Sequence, residues 1–118
     1  QAESITDVLK LFLEIRTVEA VAAVARDGFV IEYSGLMPHD MDALGASVCE
    51  MLVGVDRMGT ELDLALLNRL VLEFERNLVV CEPVGEDVVL AVICSDSNAL
   101  GVVRFYMKKL TPLLLPFF

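Results

Sequence analysis

Apolar residues fall along this chain in two rhythms, and the switches between them mark out eight segments. Ile5, Val8, Leu9, Phe12 and Ile15 recur at helical spacing, which predicts an amphipathic first helix ending near Arg16. Ser4, with Asp7 three residues on, is a capping-box-like start for it. The run EAVAAVA from Glu19 to Ala25 is apolar and unbroken, as in a strand covered on both faces. Arg26-Asp27-Gly28 then supplies the positive φ of a tight turn, and FVIEYS, Phe29 to Ser34, is the return strand, closed by Gly35.

Pro38 breaks the chain and Asp40 is placed to cap a long helix from about Met41 to Met58. Its large apolar residues, Met41, Leu44, Val48, Met51, Leu52, Val55 and Met58, fill one broad face suited to a sheet. The other side is short: Ala43, Ala46, Ser47, Val53 and Gly54, with Glu50 and Arg57 as its only long charged residues. Small residues let a second helix approach closely, and a Glu and an Arg two turns apart match an antiparallel copy. A solvated face that happens to be rich in alanine fits the same pattern.

After a Gly59 stop and an acidic stretch comes NRLVLEFERN, Asn68 to Asn77. Leu70, Leu72 and Phe74 alternate with Arg69, Val71, Glu73 and Glu75, the period of a strand with one buried face. A strand with a neighbour on one side only leaves a row of hydrogen-bonding groups open. Asn77 is expected in a left-handed turn position, VVCEPV as the next strand, Gly85-Glu86-Asp87 as a turn and VVLAVIC as the last strand. Asp96, Ser97 and Asn98 offer N-caps for a final helix with Leu100, Val103, Met107 and Leu110 on one face, ended by Pro112. The tail LTPLLLPFF is too apolar to float free and is expected to fold back onto the domain or a partner.

Length and composition narrow the classes. One compact domain, residues 1–118, accommodates this chain, with enough length for a core without metal or disulfide staples. Hydrophobic residues make up 56% and the mean hydropathy is +0.64, more than a small core hides, so part of the apolar surface is expected to face a partner. The longest apolar runs fall far short of the ~20 residues of a membrane span, which argues against membrane insertion. The net charge of −9 argues against nucleic acid, whose binders concentrate cations on one face; here only Lys108 and Lys109 are adjacent. Cys49, Cys81 and Cys94 are an odd set without a C-x-x-C, and together with a polar N-terminus lacking a signal peptide they point to the cytoplasm.

Chemistry-bearing motifs are sparse. His39 is the only histidine and stands in a loop with no nucleophile motif beside it, so no catalytic residue is assigned and an enzyme is not expected. Asp40 and Asp42 favour the positive end of a helix over a metal, and no metal site is assigned. With no phosphate loop and no dinucleotide fingerprint, no cofactor is assigned.

With these elements in place, the chain resembles the Roadblock family, named for a dynein light chain and widespread in bacteria and archaea, and within it an MglB-like member. Three segments carry the resemblance: VEAVAAVARDGFVIEYSG at 18–35, LVLEFERNLVVCEPVGEDVVLAVIC at 70–94 and SNALGVVRFYMKKL at 97–110. Asn77, where the family often has glycine, and the Pro-broken tail depart from its pattern. The resemblance implies an α/β (α+β, profilin-like) three-layer fold of order α-β-β-α-β-β-β-α. In it a five-stranded antiparallel sheet has two helices on one face and one long helix on the other. It also implies a homodimer in which the third strand pairs with its copy and the middle helices pack across the two-fold axis. The corresponding interface residues here are Ala43, Ala46, Ser47, Glu50, Val53, Gly54, Arg57, Arg69, Val71 and Glu73. The implied function is non-catalytic: binding a small Ras-like GTPase as scaffold or regulator of its nucleotide cycle or localisation. A sensor or adaptor holding a small ligand in a pocket under the tail is the alternative.

Overall fold

The computed structural model describes residues 4–35 and 40–118. Three helices and five strands follow in the order α1 (Ile5–Phe12), β1 (Val18–Ala25), β2 (Val30–Gly35), α2 (Met41–Glu61), β3 (Leu70–Glu73), β4 (Leu78–Val84), β5 (Val88–Cys94) and α3 (Leu100–Leu114), with a 3-10 turn at Leu115–Phe117. The strands form one antiparallel sheet in the order β2-β1-β5-β4-β3. The expected element order and three-layer class therefore hold.

β5 is buried along its whole length and β1 nearly so, because both faces of the central strands are covered. Val21, Val80, Leu90 and Val92 meet α1 and α3 on one face. Ala22, Val24, Cys81, Val89 and Ala91 meet Val48 and Leu52 of α2 on the other. The alanines thin that second layer and let α2 lie close. At its nearest point Gly45 of α2 abuts Gly28, which turns β1 into β2 with φ +96°. On the first face, Val8, Leu9 and Phe12 are fully buried. At roughly 1.5–3 kcal/mol each, they hold an eight-residue helix too short to persist alone.

Several boundaries differ from those expected. α1 ends at Phe12, not near Arg16, because Leu13, Glu14 and Ile15 donate to carbonyls three residues back, and the chain tightens into β1. β2 begins at Val30 and leaves Phe29 exposed before it. α2 does not stop at Gly59; it runs to Glu61, past the end of the sheet, so Met58 is 53% exposed rather than buried. Asp40 does cap α2, accepting from the Ala43 N–H at 3.1 Å. Asn77 does not adopt a left-handed conformation; its amide donates to the Cys94 carbonyl at 3.0 Å.

At α3 none of the three polar candidates caps the helix. Ala99 occupies that position, and Asp96 accepts from Asn98 N–H in a turn of its own. Pro112 does not end α3, which continues to Leu114. The carbonyl that Pro112 leaves without a helical donor belongs to Lys108, an exposed residue, so the lost bond falls on the side open to solvent. The tail does not turn back but continues α3, which buries Leu114 fully in the core with α1, while Leu115, Phe117 and Phe118 are each a little under half exposed. The loop at Met37–His39 lies outside the described residues.

Candidate functional site

The sheet has two edges, and they are treated differently. Both α1 and α2 pack on β2, whereas β3 packs substantially on β4 alone. The Phe74 N–H donates to the Asn77 carbonyl at 2.8 Å, which closes the β3–β4 hairpin with a hydrogen-bonded pair. Antiparallel ladders alternate, and β3 pairs β4 with Leu70 opposite Cys81 and Leu72 opposite Val79. Leu70 and Leu72 therefore spend their backbone groups on β4. Arg69, Val71 and Glu73 turn theirs outward, an unpaired row of the kind that templates another strand.

The second surface is the outer side of α2. Ala43, Ala46, Ser47, Glu50, Val53, Gly54 and Arg57 are all exposed. A side chain at Gly54 would meet nothing within 4 Å, and neither Glu50 nor Arg57 is ion-paired to a described residue. This face is bare because α2 buries only its other side, where Gly45, Val48 and Leu52 lie.

The ten expected interface residues do not form one continuous side-chain patch. The seven on α2 lie on that helix's side of the sheet, while the side chains of Arg69, Val71 and Glu73 lie on the side of α1 and α3, following Val80 and Leu78 across the ladder. The backbone edge of β3 joins the two groups. Arg69 is half-buried and bound to Glu82 at 2.9 Å, with Thr111 donating to the other carboxylate oxygen at 3.3 Å. The buried face expected for this strand is only partly so: Leu70 reaches the α2 core, but Phe74 is 57% exposed at the hairpin end of β3, whereas the end of α2 lies beside the β4–β5 turn at the other end of the sheet.

Other features were not singled out in the sequence. Met58, Leu64, Leu66, Leu67 and Val55 line a cavity of ≈ 600 Å³ between the end of α2, the connection to β3 and the β4–β5 turn, and Leu66 is 90% exposed. The available signal was the leucine alternation at 62, 64 and 66 inside the stretch read as acidic. Gly85 on the rim of this cavity lies beside Leu115 of the tail. The cations are also less scattered than the sequence suggests: Arg69, Arg104 and Lys108 converge with Phe105 on a shallow groove beside α3.

Among the described residues no group of three or more acidic, histidine or cysteine side chains is placed to hold a metal, and no helix is long and apolar enough to cross a membrane. His39 lies outside the described residues. Burial pushes the Cys81 thiol from its ordinary value of 9.0 to about 11; burial, with Asp96 and Glu19 adding, does the same for Cys94. Both remain protonated and poorly nucleophilic at neutral pH. A thiol reagent at pH 8 is accordingly expected to label Cys49, which is half-exposed, and to spare Cys81 and Cys94 until the protein unfolds, as mass spectrometry of labelled peptides would read. Rapid labelling of either strand cysteine in folded protein would contradict their burial. Because the folded values are raised, this contribution to stability is complete below about pH 9 and is lost as the pH climbs to about 11.

Solved structures share this architecture. The gliding protein MglB of Thermus thermophilus superposes with a TM-score of 0.85 at 22% identity, covering 94% of this chain and 85% of that one. MglB of Myxococcus xanthus gives 0.85 at 21% identity over 98% and 97% of the two chains. A Roadblock/LC7 domain from Streptomyces avermitilis gives 0.87 at 18% identity over 98% of each. At these identities the likeness speaks to fold alone. A comparison with curated proteins found no significant match. The family model for the Roadblock/LC7 domain matches residues 4–94, taking in the sheet, α1 and α2, and the chain belongs to the Roadblock/LC7 domain family.

Proposed function

We propose that this chain works as a homodimeric, non-catalytic regulator in the cytoplasm. It would dock a small Ras-like GTPase on a sheet and helix pair built from two copies and modulate the GTPase's nucleotide cycle or localisation. The observation that carries the reading is the coincidence of an open β3 edge with a bare, short-side-chain face on the adjacent α2. A shared two-fold axis would cover both with one partner, since a second copy presents the same strand and the same helix face. A standard interface of about 800 Å² per partner is roughly a ninth of this chain's 7092 Å² surface. Family membership and the MglB-like fold support the regulatory reading.

Tagged protein should recover a GTPase from its own cell extract, and loading the extract with a GTP analogue or with GDP shows which state is preferred. Recovery of none in either state would sink the reading. The ≈ 600 Å³ apolar cavity favours a second one, a sensor or adaptor for a small ligand unrelated to GTPases. Its mark is a co-purifying compound released on denaturation and identified by mass spectrometry.

A further inference from the structure

We propose that the outer face of α3, with the tail that continues it, is a docking surface for a lipid bilayer bearing anionic headgroups. This goes beyond the GTPase reading and does not rest on it, since α3 packs on the side of the sheet opposite α2. Val103, Met107, Leu110 and Leu114 point α3 into the core. At roughly 100° per residue, the opposite side of the helix carries Phe105, Lys108 and Pro112, flanked by Arg104 and Lys109. All five are exposed.

Two observations give that face its chemistry. All 18 acidic side chains fall in the first 96 residues, together with six of the 9 cations, so residues 97–118 form a cationic end on an otherwise strongly acidic chain. The apolar residues of the same stretch are not hidden: Val102, Phe105, Leu113, Leu115, Phe117 and Phe118 are each 38–54% exposed. Lys109 holds its ammonium 4.9 Å from the centre of the Phe105 ring, so cation and apolar group stand together on one face.

A partner that suits such a face has to be apolar and anionic within the length of one side chain. A bilayer boundary is both: an interfacial helix sinks its Phe and Leu side chains about 5–10 Å deep while Lys and Arg reach back to the headgroups. With 15 residues, α3 is about 22 Å long and can lie flat on that boundary. An acidic peptide fits less well. It would seat in the groove beside α3, where Glu82 already binds Arg69 at 2.9 Å, and would leave Leu113, Leu115 and the two tail phenylalanines uncovered. The acidity elsewhere does not forbid approach. Exposed charges on α1 and the turn after it cancel, Asp7 and Glu14 against Lys10 and Arg16. The carboxylates of α2 lie behind the sheet, beyond the ~8 Å over which physiological salt screens charge.

Flotation of the whole chain with vesicles of phosphatidylcholine, alone or with about a third phosphatidylserine, tests this. Binding is expected to the mixed vesicles only, and to weaken as salt rises. Arg104→Gln and Lys108→Gln together are expected to lower it about 25-fold, at roughly fivefold per cation, and Phe105→Ser to lower it roughly tenfold. Arg76→Gln removes as much charge as Lys108→Gln but from the β3–β4 turn, where Arg76 is bound to Glu75 at 3.0 Å, and should change nothing. No binding, equal binding to vesicles without phosphatidylserine, indifference to Phe105→Ser, or equal losses with Arg76→Gln and Lys108→Gln would each overturn the proposal. If the vesicles fail while a polyglutamate peptide binds and Lys108→Gln releases it, the face belongs to an acidic protein segment instead. None of these substitutions lies on α2 or β3, so light scattering should give every variant the mass of wild type, and failure here leaves the regulatory reading standing.

Discussion

Gly45→Ala is expected to lower the unfolding free energy by about 3 kcal/mol, although the same change in an open helix interior stabilises by up to about 1 kcal/mol. A Cβ on Gly45 would collide with the Gly28 carbonyl oxygen and stand 3.1 Å from Cγ2 of Val30. Gly28 cannot retreat easily: its φ of +96° shapes the β1–β2 turn, and its N–H is held by the Ala25 carbonyl at 2.8 Å. The relief left is for α2 to lift, which loosens Val48 and Leu52 from Ala22, Val24 and Val89. Chemical denaturation should show the loss, with Tm falling by roughly 10–15 °C. Gly101→Ala in α3 is the control; with nothing within 4 Å of its added methyl, it should be neutral or slightly stabilising. Equal behaviour of the two variants would mean that α2 does not rest on the β1–β2 turn.

That contact also marks where sequence reading stops. Except at Met58, the helical spacing at Met41–Met58 sorts α2 into a sheet face and a bare face, since Val48 and Leu52 are buried and Ala43, Ala46, Ser47, Glu50, Val53, Gly54 and Arg57 are exposed. Nothing in the string ALGAS distinguishes Gly45 from Gly54, because the difference is a backbone on another element. The same holds for β3: its alternation is legible, but how deeply Leu72 and Phe74 are buried depends on which end of the sheet α2 crosses. Arg69 and Lys108 are thirty-nine positions apart in sequence, and only the packing of α3 beside the edge brings them to one groove.

Element ends were the other gap. Local bonds decided them: the i→i−3 turns after Phe12, the Asx turn at Asp96 and a proline whose missing donor costs little on a wet helix face. Each competes with the periodic signal over only a few residues, so the rhythm of a segment identifies it without locating its last turn. A further consequence concerns Ala22, which as a strand residue looks like a harmless place for a control substitution. It lies at 1% exposure beneath α2, and Ala22→Val would overfill that layer and test the fold instead of the interface.

Val71→Pro should dissolve the dimer and leave the protomer folded. Proline has no N–H, and at Val71 the donor it removes points away from β4, so the Leu70 and Leu72 bonds to Cys81 and Val79 survive. On the other side the ring and the missing donor abolish strand addition, the reason proline guards exposed edges. Light scattering should therefore move from about twice the 13.0 kDa chain mass to the chain mass itself, with the far-ultraviolet circular dichroism of the sheet retained. Leu72→Pro makes the opposite cut: it removes a donor inside the β3–β4 ladder and should loosen the hairpin whether or not a partner is present. Gly54→Glu adds a third arm, placing a carboxylate among the short side chains of α2 one turn from Glu50 without touching the edge. If Val71→Pro stays dimeric while Gly54→Glu becomes monomeric, the helices alone carry the association and the open strand serves another partner. If both stay dimeric, neither surface is the seam, and the proposed platform for a GTPase loses its physical basis.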